Sequence, residues 1–156
     1  MFYNFTFYLL WKRFKEIFKW LRKNITKTSK KIGAVNCLFR GKNGKLIGTN
    51  TDGEAALKSY ENMFGKVKNK NILLLGPGGA GKAVASYFSQ AVKEKNKFTI
   101  IGRSLNSKKF SKKLKVRWLS FEDISKIKFE IIDIVINCTS LGFSSNIEKS
   151  PLSKLQ

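Results

Sequence analysis

The chain has 156 residues, about one domain's length, and its 42% apolar content is enough for a core, which excludes disorder along the whole chain. Against 31 Lys and Arg stand 10 Asp and Glu, a formal charge of +21 that favours an anionic partner without choosing among nucleic acid, membrane and small ligand. The absence of histidine excludes imidazole metal sites, His-containing triads and imidazole acid–base catalysis, so any proton relay must use Lys, Asp, Glu, Tyr or Cys.

Residues 1–31 form a basic aromatic segment, with Lys or Arg at nine positions (12, 13, 15, 19, 22, 23, 27, 30 and 31) against the single acid Glu16. Leu10, Phe14, Ile17, Phe18 and Leu21 recur at helical spacing between the cations, which predicts an amphipathic helix. That helix either packs its aromatic stripe on a neighbour or lies on a polyanion, lipid or nucleic acid. The apolar opening MFYNFTFYLLW stops after 11 residues, below the roughly 17 to 25 of a membrane span, and no basic residues precede it as in a secretory signal. Cys37 and Cys138 make no disulfide scaffold and flank no metal-ligand spacing, so a reducing, cytoplasmic setting and no metal are expected.

Residues 32–66 read as a second unit. GAVNCLFR predicts a strand, GKNGK a tight turn and LIGTN a returning strand. The helix that follows is expected to be capped by Thr51 or Asp52, to carry Ala55, Ala56, Tyr60 and Met63, and to stop at Gly65.

From residue 67 to 156 strands and helices alternate. NILLL (71–75), KFTII (97–101), Val116–Leu119 and IIDIVIN (131–137) read as strands buried on both faces. KAVASYFSQAVKEK and SLNSKKFSKKL read as helices, and FEDISKI as a short turn of helix. This order predicts an α/β fold with a doubly wound parallel Rossmann-type sheet, incomplete because the chain ends at Gln156 before the later elements of such a sheet.

Gly76, Gly78 and Gly81 stand in G-x-G-x-x-G spacing between a predicted strand and a predicted helix. The first allows the tight turn, the second lets the backbone approach a pyrophosphate, the third lets helix and sheet pack closely, and free amides at the helix start attract the anion. The alternative is a glycine loop that only turns the chain. The next strand ends in Gly102, Arg103 and Ser104, with no carboxylate to hold a ribose hydroxyl pair. Arg103 offers a planar fork for the 2′-phosphate of NADP, Ser104 adds a hydroxyl, and Lys108 or Lys109 adds field strength. Otherwise Arg103 is an ordinary surface arginine.

IGAVNC (32–37), GTNTDG (48–53), GPGGAGKAV (76–84), IGRS (101–104) and NCTSLG (137–142) together resemble shikimate dehydrogenase in order and spacing, over about residues 32–156. The resemblance implies an N-terminal substrate domain, of which residues 1–66 are the remnant, and a C-terminal NADP-binding domain with a cleft between them. It implies hydride transfer between shikimate or 3-dehydroshikimate and NADP, without metal. By that resemblance Asn36 is a substrate-hydroxyl ligand and Asp52 the carboxylate that works beside a lysine. Gly76, Gly78, Gly79, Ala80 and Gly81 form the diphosphate loop, Arg103 and Ser104 the phosphate clamp, and Thr139 runs beside the cofactor. Gly102 replaces the clamp's usual asparagine. Counting 21 residues back from Asn36 places the family's catalytic lysine at Lys15. Cys37, where the family has threonine, reads as a packed residue rather than a nucleophile.

Missing substrate-domain elements imply a shortened chain of low activity, or a homo-oligomer in which another chain supplies them. Two other functions remain open: a non-enzymatic basic module that contacts polyanions through residues 1–31, and a dehydrogenase of quinate or another hydroxy acid.

Overall fold

The computed structural model describes residues 24–142 and 147–153. Lys15 and the helix expected around residues 10–21 lie outside them.

The first element, α1 (Lys27–Ile32), begins where the Thr26 hydroxyl accepts the Ser29 N–H at 3.3 Å, and ends at Gly33 in the left-handed region. The expected strand from Gly33 therefore starts only at β1 (Cys37–Arg40), because Gly33 is occupied in stopping a helix. That helix crosses residue 31, where the composition changes. β1 pairs antiparallel with β2 (Leu46–Thr49) through a turn closed by Gly41 and Lys45, with Gly44 at φ +73°. The other side of β2 takes Ile25 as a single parallel bridge.

Next comes α2 (Asp52–Phe64), which stops at Gly65 as expected. Thr51 occupies the capping position but makes no cap, since its hydroxyl accepts from Asn36 instead. The Asp52 N–H is taken by the Asn50 side-chain oxygen at 3.2 Å, and Asp52 and Glu54 lie in the first turn, where the helix dipole favours acids.

The remaining chain builds β3 (Ile72–Leu75), α3 (Gly79–Ala91), β4 (Phe98–Ile101), α4 (Leu105–Leu114), β5 (Arg117–Leu119) and β6 (Ile134–Asn137). The four strands run parallel in the order β5-β4-β3-β6, confirming the expected α/β sheet. The last strand is shorter than expected, because Phe129–Ile131 close into a 3-10 turn.

Alternation along β3 and β4 sorts the core into two layers. Ile72, Leu74, Phe98 and Ile100 face α3 and α4 through Val84, Ala85, Phe88 and Phe110. Leu73, Leu75 and Ile101 face the opposite way, onto Ile124 and the partly buried Phe121, Ile127 and Phe129, so 3-10 turns form the second layer. All eight residues of β3 and β4 are buried, and full burial of each large apolar side chain stabilises by about 1.5–3 kcal/mol.

The α2 helix is fastened to this body. A Cβ on Gly53 would overlap the Ala83 carbonyl and the Tyr87 ring, so glycine is what allows α2 to approach α3 so closely. Further along the same helix, Tyr60 meets Phe88 edge-on with ring centroids 6.0 Å apart.

Asp133 holds the start of the sheet. Its carboxylate accepts the Asn71 N–H at 2.7 Å and faces Lys70 at 3.4 Å; the Asn71 bond is the larger cause of a pKa below the usual carboxylate value. A lowered native pKa stabilises the fold above pH 3.8 and ceases to do so as pH falls through the native value. Asp133→Ala is expected to lower the Tm at pH 7, with the gap from the parent chain closing below about pH 4; a gap independent of pH would contradict this.

Candidate functional site

The sheet grows in one direction from β3 to β4 and β5, then returns to the other side of β3 for β6. This reversal opens a crevice at the carboxyl ends of β3 and β6, the place where open α/β sheets bind ligands.

Gly76 closes β3 at φ +82°, its N–H bonded to the Ile101 carbonyl at 3.0 Å. A Cβ there would come within 2.7 Å of the Thr139 methyl, and one on Gly81 would overlap the Gly76 carbonyl and lie 3.1 Å from Cys138 Cβ. These two glycines are demanded by packing. Gly78 and Gly79, by contrast, face open space, with nothing within 4 Å of an added Cβ. Gly78 caps α3 without a side chain, the first turn holds no acid, and Gly78, Gly79 and Ala80 are exposed. The amides of that turn have no partner inside the helix and lie toward the crevice, an arrangement suited to a diphosphate.

At the end of β4, Arg103 is exposed, with no acidic partner among the described residues. Ser104 caps α4, its hydroxyl accepting the Ser107 N–H at 3.2 Å, which leaves its own proton to donate. Gly102 has a local reason: a Cβ would overlap Ser107, whose hydroxyl donates to the Ser104 carbonyl at 2.5 Å and accepts from Trp118 Nε1 at 3.0 Å. The buried Ser107, absent from the sequence-based candidates, thus shapes the corner at the end of β4. Lys108 leaves that corner for the Trp118 ring, 5.4 Å from its centroid.

After β6 the chain folds around Asn137, whose side-chain oxygen accepts from the Thr139 N–H at 2.9 Å and the Thr139 hydroxyl at 2.7 Å. This fixes Thr139 against Gly76. Cys138 beside it is shielded, and burial pushes its thiol pKa up, away from thiolate reactivity.

Asn36 and Asp52 come together although 16 residues separate them. The Asn36 amide donates to the Asp52 carboxylate and to the Thr51 hydroxyl at 3.3 Å, while its oxygen accepts the Thr51 N–H at 3.0 Å. Because Gly53 packs on Ala83, Asp52 sits beside the opening turns of α3. Asn50, buried and holding the Asp52 N–H, is a further positioning residue that the pattern Asn-Thr-Asp signals through its Asx turn. Lys15 is outside the described residues. Among those residues no group of three or more acids and cysteines gathers as metal ligands, and no helix is long and apolar enough to cross a membrane.

The sequence profile of the Shikimate / quinate 5-dehydrogenase family matches residues 58–149. A curated relative from Methanococcus vannielii, "Shikimate dehydrogenase (NADP(+))", is 36% identical over 90% of this chain and 51% of its own. Among solved structures, shikimate dehydrogenase 1 from Peptoclostridium difficile superposes with a TM-score of 0.72 at 33% identity, over 89% of this chain and 48% of that one. The shikimate 5-dehydrogenase of Thermus thermophilus, solved with NADP(H) and shikimate, gives 0.64 at 25% identity, over 81% and 45%. The chain spans about half the length of the curated relatives it matches.

Proposed function

Because the chain belongs to the shikimate/quinate 5-dehydrogenase family, we propose that it binds NADP at the β3–α3 crevice and serves the interconversion of 3-dehydroshikimate and shikimate. The observation that carries the cofactor assignment is the corner between Gly79 and Arg103: open space over exposed helix amides, and a guanidinium without an acidic partner among the described residues where an acid would select NAD. In this reading the first-turn amides of Gly79, Ala80 and Gly81 hold the diphosphate, with Gly76 and Gly78 shaping the loop. Arg103 and Ser104 hold the 2′-phosphate, and Thr139 lines the cofactor's path. NADP supplies the hydride acceptor or donor when bound. Asn36 keeps the Asp52 carboxylate oriented, so that Asp52 receives a substrate hydroxyl and, with Lys15, manages its proton.

The test is titration calorimetry with NADP+, followed by shikimate or quinate added to the cofactor-loaded chain. Tighter binding of shikimate than of quinate is expected, with Asp52→Asn weakening it about tenfold, the loss of one charge-assisted hydrogen bond. Cofactor affinity should not change in that variant. Equal binding of shikimate by parent and variant would remove Asp52 from the site.

Two free cysteines accord with a cytoplasmic, reducing setting, and an assembly of like chains belongs to the same reading. A second reading concerns residues 1–31, whose nine cations against one acid make a polyanion contact. Deleting residues 1–23, which hold six of those cations, should then weaken polyanion binding and flatten its salt dependence, and unchanged binding would refute a contact through the part of the segment that precedes α1.

A further inference from the structure

The strongest feature outside the crevice is a run of cations on α1 and α4, joined by Lys95 just after α3. α1 carries Lys27, Lys30 and Lys31, and α4 carries Lys108, Lys109, Lys112 and Lys113, with no acid in either helix. The two helices meet where Lys113 Nζ donates to the Lys31 carbonyl at 2.7 Å. Lys95 follows α3, donates to the Ser89 carbonyl, and is lowered in pKa first by burial and then by the charge of Lys31. Among the described residues none of these lysines has an acidic partner.

Lys27 and Lys31, one turn apart, also form one wall of a groove of about 260 Å³ against α3. Ser86, Tyr87 and Gln90 form the opposite wall, where Ser86 and Gln90 already donate to the Lys82 and Ser86 carbonyls, so the two lysines are what the groove offers an anion.

We propose that this α1–α4 face binds the phosphate backbone of nucleic acid, with Lys27, Lys31 and Lys113 at its centre. Like charges held together without counter-charge gain most from a ligand that carries regularly spaced anions. Anionic lipid is the poorer fit. A helix lying on a bilayer presents a row of apolar side chains beside its cations, whereas Phe110 and Leu114 of α4 are turned into the core and only Leu105, at the helix start away from Lys112 and Lys113, is exposed. Lys27, Lys31 and Lys113, the last at the far end of α4 from Ser104, are not among the residues proposed to hold NADP and need nothing from residues 1–23, so their fate is independent of the NADP assignment.

The experiment compares the full chain with two triple variants of equal charge: Lys27→Gln/Lys31→Gln/Lys113→Gln on the face, and Lys42→Gln/Lys45→Gln/Lys128→Gln away from it. Binding of a fluorescein-labelled duplex of about 20 base pairs is measured between about 50 and 200 mM salt. The face variant is expected to bind at least tenfold more weakly, with the slope of log affinity against log salt reduced by about 2 to 3, while the control stays within about twofold. Lysine acetylation footprinting of the parent chain covers the case in which a variant fails to fold: the duplex should protect Lys27, Lys31 and Lys113 but not Lys42 or Lys45. Equal losses in both variants, uniform protection, or binding to phosphatidylserine vesicles without binding to the duplex would overturn the proposal.

Discussion

Gly81→Ala is expected to lower stability by about 3 kcal/mol and to abolish cofactor binding, whereas Gly79→Ala, two residues away, leaves stability intact or slightly raised. The difference lies in what each added methyl meets. At Gly81 it overlaps the Gly76 carbonyl and presses on Cys138, so β3, α3 and β6 must part at the point where they converge. At Gly79 it meets open space in the first turn of a helix, and the backbone already suits an L-residue. Thermal unfolding should show a drop of roughly 10 °C for Gly81→Ala and little change for Gly79→Ala. Yet Gly79→Ala should still weaken NADP, because its methyl enters the space assigned to the diphosphate. Full NADP affinity in both variants would mean that the crevice holds something else.

Arg103→Ala should remove the preference for NADP over NAD. Arg103 is exposed at the end of β4 and makes no ion pair among the described residues, so a 2′-phosphate gains a charge-assisted fork without displacing an existing partner. A contact of this kind contributes about 1–3 kcal/mol, or roughly five- to 150-fold in the NADP-to-NAD affinity ratio. NAD affinity itself should barely move. If both cofactors lose affinity equally, Arg103 holds the diphosphate and the selectivity has another source.

Strong local signals carried most of the fold from sequence. The runs ILLL and FTII, each followed directly by a glycine, permit little besides buried parallel strands, and GPGGAG between one of them and a helix places the crevice. What escaped was set by tertiary context or by competition for one group. Thr51 looks like a cap, but Asn36 takes its hydroxyl and Asn50 replaces it. Gly33 looks like part of a strand, but α1 uses it as a left-handed stop. Gly102 reads as a missing asparagine, while the packing of Ser107 under Trp118 explains why a side chain has no room there.

Within the candidate site, Asn36 and Asp52 were legible only through the resemblance, since no periodicity reveals that a hairpin brings residues 36 and 52 into contact. The close approach of α2 to α3 at Gly53 was equally hidden, because a single glycine inside a helical pattern carries no signal of what packs on it.

In the proposed function one crevice, formed by the glycine loop, the end of β4 and the turn after β6, holds NADP. Titrating NADP+ into the isotope-labelled 156-residue chain and following its amide resonances tests this most directly. Saturable shifts concentrated at Gly78, Gly79, Ala80, Gly81, Arg103, Ser104 and Thr139, reached at lower concentration than with NAD+, are the predicted result. Shifts scattered over the lysines of α1 and α4 with those residues unmoved, or identical titrations with NADP+ and NAD+, would contradict it.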